Sequence, residues 1–171
     1  MHIIYCIVSF DSVAISKALF NLLNSVKVNP SSLSEKLLRF DIPSTSSANE
    51  SDKNTLLSTI DTLSKKKGKT YLWNEKGFNA MKGLYQKKIN GEEVMETVEE
   101  AFDRKAQCII SHQFTVKGKY DTLTTLLLLL LENSSFAKNI IGDSAPLASI
   151  CSVQGKTRKV LTAFVFATKK K

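Results

Sequence analysis

The apolar residues of the first hundred positions recur every three or four residues, which is the spacing of an amphipathic helix. A first helix, capped by Ser12, ends at Asn29 because the proline that follows restricts the backbone of the residue before it. A second, shorter helix starts at Ser31 and ends before Pro43. The apolar stripes of these two helices are Ile15, Leu19, Leu22, Leu23 and Val26, and then Leu33, Leu37 and Leu38. Three further helices are predicted around residues 56–63, 73–88 and 92–104, the last with Val94, Val98, Ala101 and Phe102 facing inward.

After these helices the period changes to two. Residues 108–117 alternate, with Cys108, Ile110 and His112 on one side, and predict a strand. The leucine run Leu126–Leu131 falls far short of the roughly 20 apolar residues that span a bilayer, so it predicts a buried helix over 123–131. Residues 147–153 and 159–168 are two β-rich runs around a short polar loop, which is typical of a hairpin.

These elements predict one α/β domain over residues 1–171, with helices around a small, mostly antiparallel sheet that ends in a C-terminal hairpin. A chain of 171 residues, 43% of them hydrophobic, is long enough to bury one sizeable core. Residues 43–53 are rich in Ser, Asn and Asp, and are predicted to form a flexible insert in that domain.

The formal net charge is +8 and comes largely from clustered lysines, which favours an acidic partner. Nucleic acid, an anionic membrane and an acidic protein surface such as a microtubule all fit this charge. Nucleic acid is disfavoured, because the clusters are not interleaved with aromatic residues that could stack on bases. The candidate contact residues are Lys65, Lys66, Lys67, Lys69, Lys156, Arg158, Lys159, Lys169, Lys170 and Lys171.

The three cysteines, Cys6, Cys108 and Cys151, form no CxxC pair and cannot all pair within the chain, which favours a reducing compartment. The first 16 residues resemble a poor signal peptide, since their apolar run is short and Asp11 interrupts it. We therefore expect a cytoplasmic or cytoskeletal location, with the cilium as one form of it.

The sequence offers few groups for catalysis. His2 and His112 are far apart, and neither belongs to a spacing of ligands that would hold a metal. Because His112 lies on an alternating strand, we expect it to be packed and hydrogen-bonded. Gly68-Lys69-Thr70 and Gly155-Lys156-Thr157 lack the earlier glycine of a phosphate-binding loop and are predicted to be turns.

Four segments share an order and a spacing along nearly the whole chain. Residues 20–30 read FNLLNSVKVNP, residues 72–75 read LWNE and are followed by Ala80, residues 132–141 read ENSSFAKNII, and the chain closes with the hairpin. Together they resemble the CAP superfamily (SCP/PR-1-like), whose members write the first three segments roughly as LNxxNxxRxNP, LxWNxxLxxAAxxHA and NSPGHRxNIL. The resemblance implies an α-β-α sandwich.

Members of this family gather two histidines and one or two glutamates in a cleft that can hold a divalent metal. In this chain the position of the first histidine falls on Leu84, and that of the glutamate falls near Cys108. The position of the second histidine falls within Phe136, Ala137 and Lys138. Lysine, leucine and phenylalanine cannot coordinate zinc, so the resemblance implies a site without catalytic residues, metal or cofactor.

We therefore expect a non-catalytic CAP-like protein in a larger intracellular assembly, bound to an acidic subunit surface. A ciliary or microtubule-associated scaffold is its concrete form, because tubulin is strongly acidic. The alternatives are a secreted CAP protein that binds a sterol or other lipid, and a basic ribosome-associated protein. An enzyme would need a cleft around His112, Cys108 and a nearby acid. An ordered zinc, or a tight histidine–acid pair open to solvent in the hollow where family members place their histidines and glutamates, would contradict the scaffold interpretation.

Overall fold

A computed structural model describes residues 10–66, 68–102, 106–115, 121–142, 147–156 and 159–167. The described chain is mixed α/β, with seven α-helices and a four-stranded mixed sheet. The helices are α1 Ser12–Val28, α2 Ser34–Leu38, α3 Glu50–Ser64, α4 Glu75–Ile89, α5 Val98–Phe102, α6 Thr122–Glu132 and α7 Ala137–Ile141. The strands are β1 Leu72–Trp73, β2 Ala106–Thr115, β3 Leu147–Gln154 and β4 Lys159–Ala167.

Polar side chains cap the longer helices at their N-termini. The carboxylate of Asp11 accepts a hydrogen bond from the backbone N–H of Ala14 at 3.0 Å, so the cap of α1 is Asp11 and not the predicted Ser12. The Ser12 hydroxyl instead donates to the backbone carbonyl of Ser152 at 2.5 Å, which ties the start of α1 to β3. Asn49 forms a capping box with Asp52 at the start of α3.

The sheet has the strand order β1-β3-β4-β2. β3 and β4 form the predicted antiparallel C-terminal hairpin, and β4 also pairs antiparallel with β2. The two-residue strand β1 pairs with the start of β3 in parallel. It was not predicted, because the apolar spacing around Trp73 is that of a helix. Two of the three pairings are thus antiparallel, as predicted.

Two hydrophobic cores lie on opposite faces of this sheet. The larger core packs α1, α3, α6 and α7 against Ala148 and Ile150 of β3. The smaller core packs α4 against Cys151 and Val153, whose side chains alternate to the other face of the same strand. Trp73 contacts both cores, and its ring lies 5.1 Å from that of Phe20 in an edge-to-face arrangement.

The leucine-rich helix is confirmed as a buried element. All six residues from Leu126 to Leu131 are buried in α6. Removing a leucine side chain from water is worth about 1.5–3 kcal/mol, so this helix contributes strongly to the larger core.

Some predicted boundaries differ from the structure. Residues 92–97, predicted as the start of a helix, are non-helical, and only Val98–Phe102 is helical. The reason is that α4 ends at Ile89, and that Gly91, just beyond it, has a φ of 77° that directs the chain away. Thr97 and Glu100 then cap a new helix. Leu38, predicted on the apolar stripe of the second helix, is 62% exposed. Residues 50–53 of the predicted insert belong to α3.

Candidate functional site

Three exposed lysines follow the C-terminus of α3. Lys65, Lys66 and Lys69, which we call the α3 lysine patch, lie on the loop between α3 and β1. Lys65 forms an exposed ion pair with Asp61 at 3.5 Å. The loop packs closely on the end of α1, because a Cβ on Gly68 would lie 2.4 Å from the backbone carbonyl oxygen of Lys27. These three predicted contact residues are therefore exposed close together along this loop.

A second group of lysines comes from two elements that are distant in sequence. Lys87 and Lys88 end α4, and Lys156 and Lys159 border the turn of the hairpin. The two elements meet where the side-chain amide of Gln86 donates to the backbone carbonyl of Gln154 at 2.9 Å and Gly155 packs on Ile89. We call Lys87, Lys88, Lys156 and Lys159 the hairpin lysine patch; all four side chains are exposed.

The described lysines of the predicted clusters therefore belong to two separate regions of the structure. Lys156 and Lys159 lie with Lys87 and Lys88, a pair that was not among the predicted contact residues because nothing in the sequence shows that the end of α4 meets the hairpin. The remaining predicted contacts, Lys67, Arg158, Lys169, Lys170 and Lys171, lie outside the described residues.

The three family-like segments before the hairpin meet in space at the end of α1. The Asn24 side chain exchanges two hydrogen bonds with the backbone of Tyr71, at 3.1 and 2.8 Å. The Tyr71 hydroxyl donates to the backbone carbonyls of Asn139 and Ile140 at 3.1 and 2.9 Å. Residues of the first and third segments, together with Tyr71 immediately before the second, thus hold the backbone together at one junction.

Lys27 lies at the same junction and is fully buried. Its ammonium group donates to the backbone carbonyl of Gly142 and lies 3.7 Å from the centroid of the Tyr71 ring. A charged group stays buried when it is hydrogen-bonded and faces the electron-rich side of a ring. Sequence reasoning missed this role, since a lysine in an amphipathic helix is normally exposed.

The degenerate family positions are spread over both sides of the sheet. Leu84 is buried on α4, the helix of the smaller core, whereas Ala137 belongs to the larger core. Phe136 and Lys138, on either side of Ala137, are exposed. Cys108 lies on β2 opposite Phe166 of β4. Leu84 and Ala137 therefore belong to opposite sides of the sheet and do not line a common cleft.

Leu84 lines a groove of about 370 Å³ beside α4. The other residues of this groove are Asn79, Ala80, Gly83, Lys87, Glu93, Val94, Met95 and Glu96. The lining therefore mixes apolar side chains with two acids, one lysine and Asn79. The groove shares only Lys87 with the two lysine patches.

His112 and Glu132 form a pair that joins β2 to the end of α6. The Nδ1 atom of His112 contacts the Oε2 atom of Glu132. The other oxygen of Glu132 accepts from the Ser46 hydroxyl at 2.7 Å and from the Ser47 backbone N–H at 3.3 Å. The prediction that His112 is packed and hydrogen-bonded is confirmed. Its partner Glu132 was not predicted.

This pair is largely shielded from solvent, and His112 is the more deeply buried partner. The side chains of His112 and Glu132 are 4% and 15% exposed, and the Nε2 atom of His112 has no accessible surface. A general base must reach the proton it removes, directly or through one water. The shielded Nε2 atom and the contacts of Glu132 fit a pair that holds β2, α6 and the segment before α3 together.

Among the described residues, no group of three or more His, Cys, Asp or Glu side chains could hold a metal ion. Cys151 is buried in the smaller core, and burial raises the pKa of its thiol to about 12. Burial also raises the pKa of Tyr85 in the same core to about 12. A thiol that stays protonated at neutral pH is a poor nucleophile.

In comparisons with known proteins, no family model, curated protein or solved structure matches the chain. Within the described part of the chain, none of the helices combines the length and the apolar character that crossing a bilayer requires.

Proposed function

We propose that this chain is a non-catalytic CAP-like interaction protein that binds the acidic surface of a partner subunit in a larger intracellular assembly. A ciliary or microtubule-associated assembly is its concrete form. The observation that carries the proposal is the hairpin lysine patch, in which four exposed lysines come from the end of α4 and from the β3–β4 turn, two elements that meet at Gln86 and Gln154.

Charge on the two patches supports an acidic partner. Among the described lysines of the two patches, only Lys65 forms an ion pair, and its partner is Asp61. The other ammonium groups are therefore available to an external anion. Grouped like charges raise the local potential and speed the encounter with an oppositely charged surface.

The junction at the end of α1 supports the CAP-like part of the proposal. Segments 20–30, 72–75 and 132–141 resemble the family, and their residues or immediate neighbours bond to each other through Asn24, Tyr71 and Lys27. The residues that resemble the family thus stabilise the fold. At the two positions where family members have histidines, this chain has Leu84 and the segment from Phe136 to Lys138.

The closed His112–Glu132 pair supports a structural role for the residues most suited to acid–base chemistry. Glu132 accepts hydrogen bonds from Ser46 and Ser47, and His112 has its Nε2 atom shielded. A buried polar network of this kind specifies how elements pack. The surface, and not this interior pair, is where we place the function.

Co-sedimentation with microtubules tests the proposal, with the acidic filament as the probe. The wild-type protein should pellet with microtubules at low salt and be released as salt rises, because exposed ion contacts are screened. The double variant Lys156→Gln/Lys159→Gln should bind more weakly. The matched control Lys17→Gln/Lys36→Gln removes the same charge from exposed positions of α1 and α2, outside both patches, and should bind as the wild type does.

Failure of the wild-type protein to bind even at low salt would remove the microtubule form of the proposal. Equal weakening by the control variant would show that net charge, and not the hairpin lysine patch, determines binding. Preferential co-sedimentation with RNA that is abolished by nuclease would show that the partner is a nucleic acid and not an acidic protein.

A further inference from the structure

The two lysine patches lie at opposite ends of the sheet. The α3 lysine patch precedes β1, whose Leu72 pairs with Leu147 at the start of β3. The hairpin lysine patch adjoins the turn after Gln154, at the end of β3. A strand that rises about 3.3 Å per residue separates its ends by about 23 Å over the eight residues of β3.

This separation makes the two patches electrostatically independent. Salt screens exposed charges over about 8 Å at physiological ionic strength, which is well below the length of β3. An acidic surface that contacts one patch therefore does not neutralise the other. Each patch can therefore attract an acidic surface without help from the other.

Both patches are fixed to the body of the protein. Gly68 packs against the backbone of Lys27 in the first case, and Gly155 packs against Ile89 in the second. The buried β3 strand connects the two places, with six of its eight residues buried. The distance between the patches is therefore set by the fold and not by a linker.

We propose that the α3 lysine patch and the hairpin lysine patch bind two separate acidic surfaces, so that one molecule bridges two acidic protein filaments. This inference rests on the proposed function, since it takes the same class of partner. It adds that each patch is sufficient for binding and that both are required for bridging.

The experiment measures binding and bundling in parallel on stabilised microtubules at low salt. High-speed pelleting reports binding, and low-speed pelleting together with fluorescence microscopy reports bundles. The variants are Lys65→Gln/Lys66→Gln/Lys69→Gln, which removes the α3 lysine patch, the fourfold Lys→Gln change of the hairpin lysine patch, and both changes combined. Lys17→Gln/Lys36→Gln is the charge control, and unfolding curves check that every variant folds.

The wild-type and control proteins should bind and bundle. Each single-patch variant should still bind, with affinity reduced several-fold, and lose bundling, whereas the combined variant should lose both. Binding of the wild-type protein without bundling overturns the bridging inference and leaves the proposed function standing. Bundling that survives in a single-patch variant also overturns it, because self-association would then provide the second contact. Absence of binding by the wild-type protein removes the microtubule form of the proposed function and, with it, the bridging inference.

Discussion

At the scale of single residues, Lys27 shows how a charged side chain can be part of a core. Its ammonium group donates to the carbonyl of Gly142, just past the C-terminus of α7, where helix carbonyls concentrate negative potential. The ring of Tyr71 covers it at 3.7 Å. Lys27 therefore links α1, the segment before β1 and the end of α7.

Replacing Lys27 with methionine tests this role. Methionine keeps the length of the side chain and removes the charge and the donor, which leaves the Gly142 carbonyl without this bond. We expect the free energy of unfolding to fall by about 1–3 kcal/mol, measured by urea denaturation. Lys17→Met, at an exposed position of the same helix, should change it by less than about 0.5 kcal/mol. Equal effects of the two substitutions would contradict the assigned role.

Cys151 and Tyr85 should make the protein sensitive to alkali. Burial raises both pKa values to about 12 in the folded protein, from ordinary values of 9.0 and 10.0. The unfolded chain therefore loses these protons first as the pH rises. The stability present below about pH 9 should be lost progressively between pH 9 and pH 12.

The variant Tyr85→Phe separates the effect of ionising the Tyr85 phenol from the effects of other groups that ionise at alkaline pH. Because the phenol of the unfolded chain ionises near pH 10, the wild type should lose about 1 kcal/mol more stability than the variant between pH 8 and pH 11. Urea midpoints of both proteins at the two pH values give this difference. Parallel loss of stability in the two proteins would show that the Tyr85 hydroxyl does not titrate as the structure indicates.

At the scale of elements, the end of α4 depends on one glycine. Gly91 adopts a φ of 77°, and the backbone N–H groups of Gly91 and Glu92 donate to the carbonyls of Lys88 and Lys87 at 3.1 Å each. This is the Schellman arrangement that ends a helix. It also directs the chain into residues 92–97 and so shapes the rim of the groove beside α4.

Gly91→Ala should lower the free energy of unfolding by about 1–2 kcal/mol, because a side chain disfavours positive φ. Gly83 provides the matched control on the same helix. A Cβ added at Gly83 would meet no heavy atom within 4 Å, so Gly83→Ala should stabilise the protein by about 0.5–1 kcal/mol. Thermal or urea unfolding measures both. The same sign for the two substitutions would contradict the assignment of the helix end.

Hydrophobic period was sufficient to predict most elements. The alternation around His112 predicted β2, the leucine run predicted α6, and the two final β-rich runs predicted the hairpin. The short elements β1 and α7 were missed, because two to five residues are too few to show a period. The helix predicted over 92–104 extended too far. Capping by Thr97 and Glu100 starts the helix at Val98, although Val94 lies at helical spacing from it.

At the scale of the whole molecule, the residues of the candidate sites were partly predictable, and their meeting points were not. Periodicity gives the side on which His112 lies, but it does not indicate that Glu132, at the end of another element, contacts it. In the same way, sequence shows that Lys87 and Lys156 are charged and exposed. The sequence does not show that the packing of Gly155 on Ile89 brings their elements together.

We assign function to the lysine patches and a structural role to the interior His112–Glu132 pair. The affinity of the purified protein for a polyglutamate probe, measured by fluorescence anisotropy across a salt series, tests this assignment most directly. We predict that affinity falls by roughly tenfold or more from low to physiological salt, and that the fourfold Lys→Gln change of the hairpin lysine patch reduces that salt dependence. Affinity that is indifferent to salt, or a salt dependence unchanged in that variant, would contradict the account.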